Sequence, residues 1–100
     1  PRALDFAEKA NKLAPDNAAV MDTLGALLAE KGEVGKAVSV LRKAIELAPQ
    51  QPLIRLSLAK VYLKAGDKGE ARKQLEELAR LGERFPGQAE VSQLLKEAGG

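Results

Sequence analysis

Apolar residues recur three and four positions apart along most of the chain, and this spacing predicts a series of amphipathic α-helices. Residues 18–31 carry leucines at this spacing, between the capping residue Asn17 and the helix-stopping Gly32. Residues 35–48 carry a second apolar face and end at Pro49. The pattern therefore predicts two helices of similar length joined by a short turn.

The same pattern returns after 34 residues, so the chain contains an internal repeat. A shift by that period places small residues on small ones, large on large and turn formers on turn formers. The matches include Ala3 with Ala37 and Ala71, Leu13 with Leu47 and Leu81, Pro15 with Pro49, Leu24 with Leu58, Gly25 with Ala59, Leu28 with Tyr62, and Gly32 with Gly66. Such order predicts stacked antiparallel helix pairs, since one pair cannot bury its apolar face alone.

Small residues at the repeated positions predict how closely the helices approach. We expect Gly25 or Ala59 in the first helix of a pair, and Ala37 or Ala71 in the second, to allow close contact. Large residues fill the remaining space, and Tyr62 is expected in the core.

These positions resemble the tetratricopeptide repeat, in which large and small residues alternate over 34 positions that end in proline. The resemblance implies an all-α solenoid of antiparallel helix pairs, stacked as a right-handed superhelix. It divides the chain into the second helix of a truncated repeat at 1–17, a repeat at 18–51, a repeat with an extended last helix at 52–86, and a C-terminal capping helix at 87–100. We accordingly expect a piece of a longer protein, containing the C-terminal end of its array.

Two departures from the family pattern carry further expectations. Met21 and Arg55 replace the usual bulky aromatic residue, which predicts lighter packing there. The second closing proline is delayed to Pro86, which predicts a helix that continues to Arg84 or Phe85.

The composition narrows the classes of function. The chain has no cysteine and no histidine, which excludes disulfides and the common zinc, copper and haem ligand sets, and we expect no cofactor. A net charge of +2, with basic residues alternating with glutamates, does not favour nucleic-acid binding. Because the chain has no histidine to activate a serine or threonine as a nucleophile, we expect that it is not an enzyme.

The resemblance also implies a concave groove lined by the first helices of successive repeats. The expected groove residues are Asp22, Ala26, Leu53, Leu56, Lys60 and Leu63, with Ala19, Ala29, Glu90 and Gln93 beside them. Two interpretations stay open: a shallow apolar groove that binds a polypeptide, or leucines covered as ordinary core. We expect a mixed outcome, in which the closing helix covers Leu53 and Leu63 stays exposed.

The expected function is a protein–protein interaction scaffold that binds a polypeptide segment, within a bacterial multiprotein assembly. The alternative is a structural spacer or a self-association module without a peptide ligand. Self-association is expected through the helix at residues 3–14, because this helix lacks its partner in the truncated repeat. Its apolar residues would then be partly uncovered, and two copies could pair there as a homodimer. These residues are Leu4, Phe6, Ala7 and Leu13.

A narrower resemblance concerns the run from Asp22 to Leu28 and the run Gly66-Asp67-Lys68. These are similar to the C-terminal repeats of tetratricopeptide lipoproteins of bacterial PEP-CTERM/exosortase systems, which are linked to exopolysaccharide export and surface-protein sorting. Membership of this lipoprotein group would imply a periplasmic or outer-membrane-anchored protein with a lipidated N-terminus. Without that membership, we expect a cytoplasmic location.

Overall fold

The computed structural model describes residues 2–99, and over this range the chain is entirely helical apart from turns. The helices are α1 (Arg2–Leu13), α2 (Ala18–Lys31), α3 (Val34–Leu47), α4 (Pro52–Lys64), α5 (Lys68–Ala79) and α6 (Gln88–Glu97), with a 3₁₀ turn at Gly82–Arg84. Each helix packs against the next, and in addition α2 packs beside α4 and α4 beside α6. The predicted all-α stack of antiparallel helix pairs is confirmed.

The turns inside the two central helical hairpins, α2–α3 and α4–α5, have the same construction. Gly32 and Gly66 both adopt the left-handed conformation, with φ of 96° and 83°. The amide after each glycine donates to the carbonyl of Leu28 or Tyr62, at 2.9 Å in both cases. Glycine is favoured there because a side chain would clash at positive φ. The 34-residue period thus extends to individual backbone hydrogen bonds.

The core consists of two apolar clusters that meet at Leu63. The first extends from α1 to α5 and includes Met21 and Tyr62, both buried, so the expected core position of Tyr62 is confirmed. The second joins α4, α5 and α6, and its buried members are Leu56, Ala59, Leu75, Leu78, Phe85, Val91 and Ala98. Partly buried Leu63 packs against both clusters, which makes the core continuous along the stack.

The closest approach between helices occurs where α2 crosses α3. A Cβ atom placed on Gly25 would lie 2.6 Å from Cγ of Leu41, well inside van der Waals contact. Leu41 is fully buried, and this Cβ would also lie 2.7 Å from its Cδ2, so the leucine side chain would have to shift. One repeat later, the equivalent residues Ala59 and Leu75 are also fully buried. The predicted role of Gly25 in close helix contact is confirmed.

The end of α5 differs from the expectation. The predicted helix through Arg84 or Phe85 is wrong, because α5 ends at Ala79. Gly82 adopts a positive φ of 57°, which interrupts the helix, and the 3₁₀ turn follows. Phe85 then has an extended backbone and places its ring in the second core cluster. The delayed Pro86 therefore reflects a longer connection and not a longer helix.

Replacing Gly25 with Ala should destabilise the protein, although alanine is the better helix former. Overpacking a core costs about 1–3 kcal/mol, which outweighs a gain in helix propensity of at most about 1 kcal/mol. Gly35→Ala, in the first turn of α3 with open space around it, is the matched control and should be neutral or stabilising. Urea unfolding followed by circular dichroism measures both. Equal stabilities of the two variants would contradict the close contact.

Candidate functional site

The candidate groove is formed by α2, α4 and α6, the first helices of successive pairs. Because neighbouring helices are antiparallel, α2 and α4 run in the same direction and pack side by side, and α6 packs beside α4. The predicted groove residues all lie on α2 and α4, at Asp22, Ala26, Leu53, Leu56, Lys60 and Leu63.

The exposure of the individual leucines of α4 differs from the expectation. Leu53 retains 60% of its surface, so the prediction that the closing helix covers it is wrong. Leu56 is only 5% exposed, since it packs in one cluster with Phe85 and with Val91 of α6. Leu63 is half-buried between the two clusters and not open as expected. The helix α6 therefore covers Leu56 and leaves Leu53 accessible.

Small residues of α2 form the other part of this surface. Ala19 and Ala26 are exposed, as predicted for groove positions. Ala29 is buried in the first core cluster, so its predicted place in the groove is wrong. The accessible apolar surface consequently consists of two alanines of α2 and Leu53 of α4.

The two polar residues of the groove, Lys60 and Asp22, differ in their pairing, since only Lys60 forms an ion pair within residues 2–99. Nζ of Lys60 lies 2.7 Å from Oε2 of Glu90, and this ion pair links α4 to α6 with both side chains about half exposed. Exposed pairs of this kind contribute about 0–1 kcal/mol. Asp22 is half-buried, and its Oδ1 is buried without a hydrogen-bond partner. A buried acceptor left unpaired costs about 1–3 kcal/mol. Within residues 2–99 the Asp22 carboxylate also forms no ion pair.

Two side chains that the sequence did not single out hold α6 in place. Nη2 of Arg72 donates to the carbonyl of Ala98 at 2.7 Å. Nε2 of Gln88 donates to the carbonyls of Leu78 and Gly82, at 2.8 Å and 3.1 Å. The Arg72 contact joins residues 26 positions apart, and the Gln88 contacts span the connection between α5 and α6. No periodic signal marks any of them. A phenylalanine between Gly82 and Pro86, in a segment poor in large apolar residues, was the available hint that this connection is anchored.

The exposed side of α1 agrees only in part with the expectation. Phe6 and Leu13 are 66% and 87% exposed, as predicted for a helix without a partner on that side. Leu4 and Ala7 are buried in the first cluster, so their predicted exposure is wrong. The neighbouring helix α2 accounts for this burial, because α1 packs against it.

A cluster of charges lies at the turn between α2 and α3. A hydrogen bond from Lys36 lowers the pKa of the Glu33 carboxyl, with a further contribution from Lys31. Nζ of Lys36 lies 3.2 Å from Oε1 of Glu33 and Nζ of Lys31 lies 3.7 Å from Oε2. Because the pKa is lowered on folding, this contribution to stability is complete above the ordinary carboxyl pKa and is lost as the pH falls through the folded-state pKa.

Within residues 2–99, no three acidic side chains converge as a metal site would require, and none of the helices has the length and hydropathy to cross a membrane.

The fold defines a helical-repeat protein built from stacked hairpins. The family model described as Tetratricopeptide repeat matches residues 28–98, and the chain belongs to this family. Tetratricopeptide repeats generally mediate protein–protein interactions and are typically non-enzymatic scaffolds. A search of curated proteins finds no match. The narrower resemblance to lipoproteins of PEP-CTERM systems, and the repeat boundaries given above, stay predictions.

The burial of Leu56 and the exposure of Leu53 can be tested as a matched pair. Leu56→Ala should cost about 2–5 kcal/mol because it leaves a cavity between α4, Phe85 and α6. Leu53→Ala should change the free energy of unfolding by less than about 0.5 kcal/mol, as is usual at the surface. Urea unfolding gives both values. A cost for Leu53→Ala that equals or exceeds that of Leu56→Ala would contradict the exposures described.

Proposed function

We propose that this chain is a protein-interaction module whose groove, formed by Ala19, Asp22 and Ala26 of α2 and Leu53 of α4, binds a polypeptide segment within a larger protein assembly. The proposal is supported by membership of an interaction family and by exposed apolar residues beside a carboxylate that forms no ion pair within residues 2–99. Leu56 and Leu63 are not included as contacts, because they are buried or half-buried.

The carboxylate of Asp22, which forms no ion pair within residues 2–99, is the observation that carries the proposal furthest. A ligand that donates a hydrogen bond to this carboxylate is favoured, and a charged donor is worth more than a neutral one. Beside it, the exposed alanines leave room for a backbone, and Leu53 offers an apolar contact. We therefore expect a segment that carries a lysine or arginine close to an apolar side chain.

The Lys60–Glu90 ion pair contributes to this preference. Because Glu90 already neutralises Lys60, the groove does not present an unpaired lysine to an acidic ligand at this point. Asp22, by contrast, has no cationic partner among the described residues. The electrostatic difference between the two positions favours a basic over an acidic segment.

The test uses peptides selected from a random displayed library by the intact chain. Selected peptides should be enriched in Lys or Arg next to an apolar residue. Binding should fall at least about tenfold, or about 1.4 kcal/mol, in Ala26→Arg, which fills the groove, and in Asp22→Asn, which removes the charge. Isothermal titration calorimetry measures each affinity.

Ala79→Arg, the same change at an exposed position of α5, is the matched control and should bind like the wild type. Circular dichroism verifies that each variant is folded. Selected peptides that bind Ala26→Arg as tightly as the wild type would contradict the groove. If no peptide is selected and the molecular mass rises with concentration, the self-association alternative is supported instead.

A further inference from the structure

Helix α6 covers the part of the groove that belongs to α4. Leu56 and Lys60 lie 34 residues after two groove positions of α2. On α4 these positions are not open, because Val91 packs in one cluster with Leu56 and Glu90 pairs with Lys60 at 2.7 Å. An apolar and an acidic side chain of the chain itself therefore lie where a ligand would contact this repeat.

Few apolar side chains attach α6 to the stack. Within Gln88–Glu97 only Val91 is buried, and Leu94 and Leu95 are partly buried. By comparison, α4 buries six of its residues. The exposed face of α6 is mostly polar by the residues that form it, which are Ala89, Glu90, Ser92, Gln93, Lys96 and Glu97. A helix with few buried apolar contacts opens locally at a lower free energy than the core.

Polar contacts supply the rest of the attachment. Nη2 of Arg72 donates to the carbonyl of Ala98 at 2.7 Å, while its Nε is buried without a hydrogen-bond partner within residues 2–99. Gln88 donates to carbonyls at the end of α5 and in the connection. Because such bonds are exchanged for bonds to water, each contributes little net free energy, and they hold α6 less firmly than apolar burial would.

The connection before α6 provides a fixed point and a joint. Phe85 is 3% exposed and belongs to the second core cluster. Pro86 is exposed, and α6 begins after Gly87 without a side-chain cap. A backbone rotation at residues 86 and 87 would therefore move α6 and leave Phe85 in the core.

We propose that α6 is a lid on the α4 part of the groove, and that a polypeptide ligand competes with it. This inference rests on the proposed function, because the lid covers part of the same groove. When the lid is closed, Lys60 is paired, and the groove favours a basic segment. When it is open, Lys60 and Leu56 become accessible, and a carboxylate next to an apolar residue of the ligand replaces Glu90 and Val91.

Thiol reactivity tests whether α6 opens. The chain has no cysteine, so Val91→Cys and Val61→Cys each introduce one thiol at a buried valine. Val91 lies in the first half of α6, where fraying of the last turn does not reach, and Val61 lies in the first core cluster. At low reagent concentration the thiol at position 91 should react at least about fivefold faster than the one at position 61, because local opening exposes it.

A destabilising change remote from α6 separates local opening from global unfolding. Gly25→Ala should raise the rate at position 61 at least about fivefold and change the rate at position 91 less than about twofold, because the α2–α3 contact is kept when only α6 opens. Arg72→Ala removes a bond that closes the lid and should raise the rate at position 91 at least about fivefold. Arg42→Ala, at an exposed position of α3, is the matched control and should change neither rate.

Peptide selection tests what the open lid admits. Peptides selected by Arg72→Ala from the displayed library should contain Asp or Glu next to an apolar residue, in addition to the Lys or Arg selected by the wild type. They should bind Arg72→Ala at least about fivefold more tightly than the wild type, since the apparent affinity rises with the open fraction. Adding Lys60→Ala should remove the acidic preference.

Several outcomes would overturn the proposal. If the two thiols react at rates closer than about fivefold, or if Gly25→Ala raises both rates equally, α6 opens only when the whole chain unfolds. An unchanged rate at position 91 in Arg72→Ala, or selected peptides without an acidic preference, would also contradict it. If no variant selects a peptide, the proposed function and ligand competition both fail, whereas the thiol rates still show whether α6 opens.

Discussion

The contact between Gly25 of α2 and Leu41 of α3 is the constraint on which the rest of this structure depends. A glycine allows the two helix backbones to approach until the leucine side chain fills the space that a Cβ would occupy. The neighbouring hairpin uses Ala59 and Leu75 in the same way, both fully buried. Because the hairpins share this small-on-large contact and the same glycine turn, they stack with a continuous core.

Features that depend on positions 34 residues apart could be predicted from the sequence. The helix pairs, the turns at Gly32 and Gly66, the role of Gly25 and the burial of Tyr62 all follow from residues that recur at the same place in a repeat. In each case the structure depends on local backbone conformation and on contact with the adjacent helix. The 34-residue periodicity therefore predicts these features well.

The prediction failed where the period is interrupted. Between α5 and α6 the connection is longer, and Phe85 is inserted into the core between Gly82 and Pro86. The position of α6 then depends on hydrogen bonds from Arg72 and Gln88, and it determines that Leu56 is covered and Leu53 is open. The desolvation of Asp22 likewise depends on packing between helices. No local pattern in the sequence encodes these distances.

The proposed groove combines apolar and acidic chemistry. It offers an exposed leucine, small alanines and a carboxylate that forms no ion pair within residues 2–99. The groove depends on the spacing of the helices, since a wider α2–α3 separation would move α2, which contributes Ala19, Asp22 and Ala26 to it. A single small-on-large contact thus connects the packing of the core to the proposed binding surface.

A double-mutant cycle between Gly25 and Leu41 measures this contact. We expect Gly25→Ala to be destabilising in the natural background and to lose most of its cost when Leu41 is replaced by Ala, because the atoms that its Cβ would meet are then absent. The coupling energy from urea unfolding should lie within the range of about 0.5–3 kcal/mol found for residues in contact. An equal cost of Gly25→Ala in both backgrounds would show that Leu41 does not limit the approach of the helices.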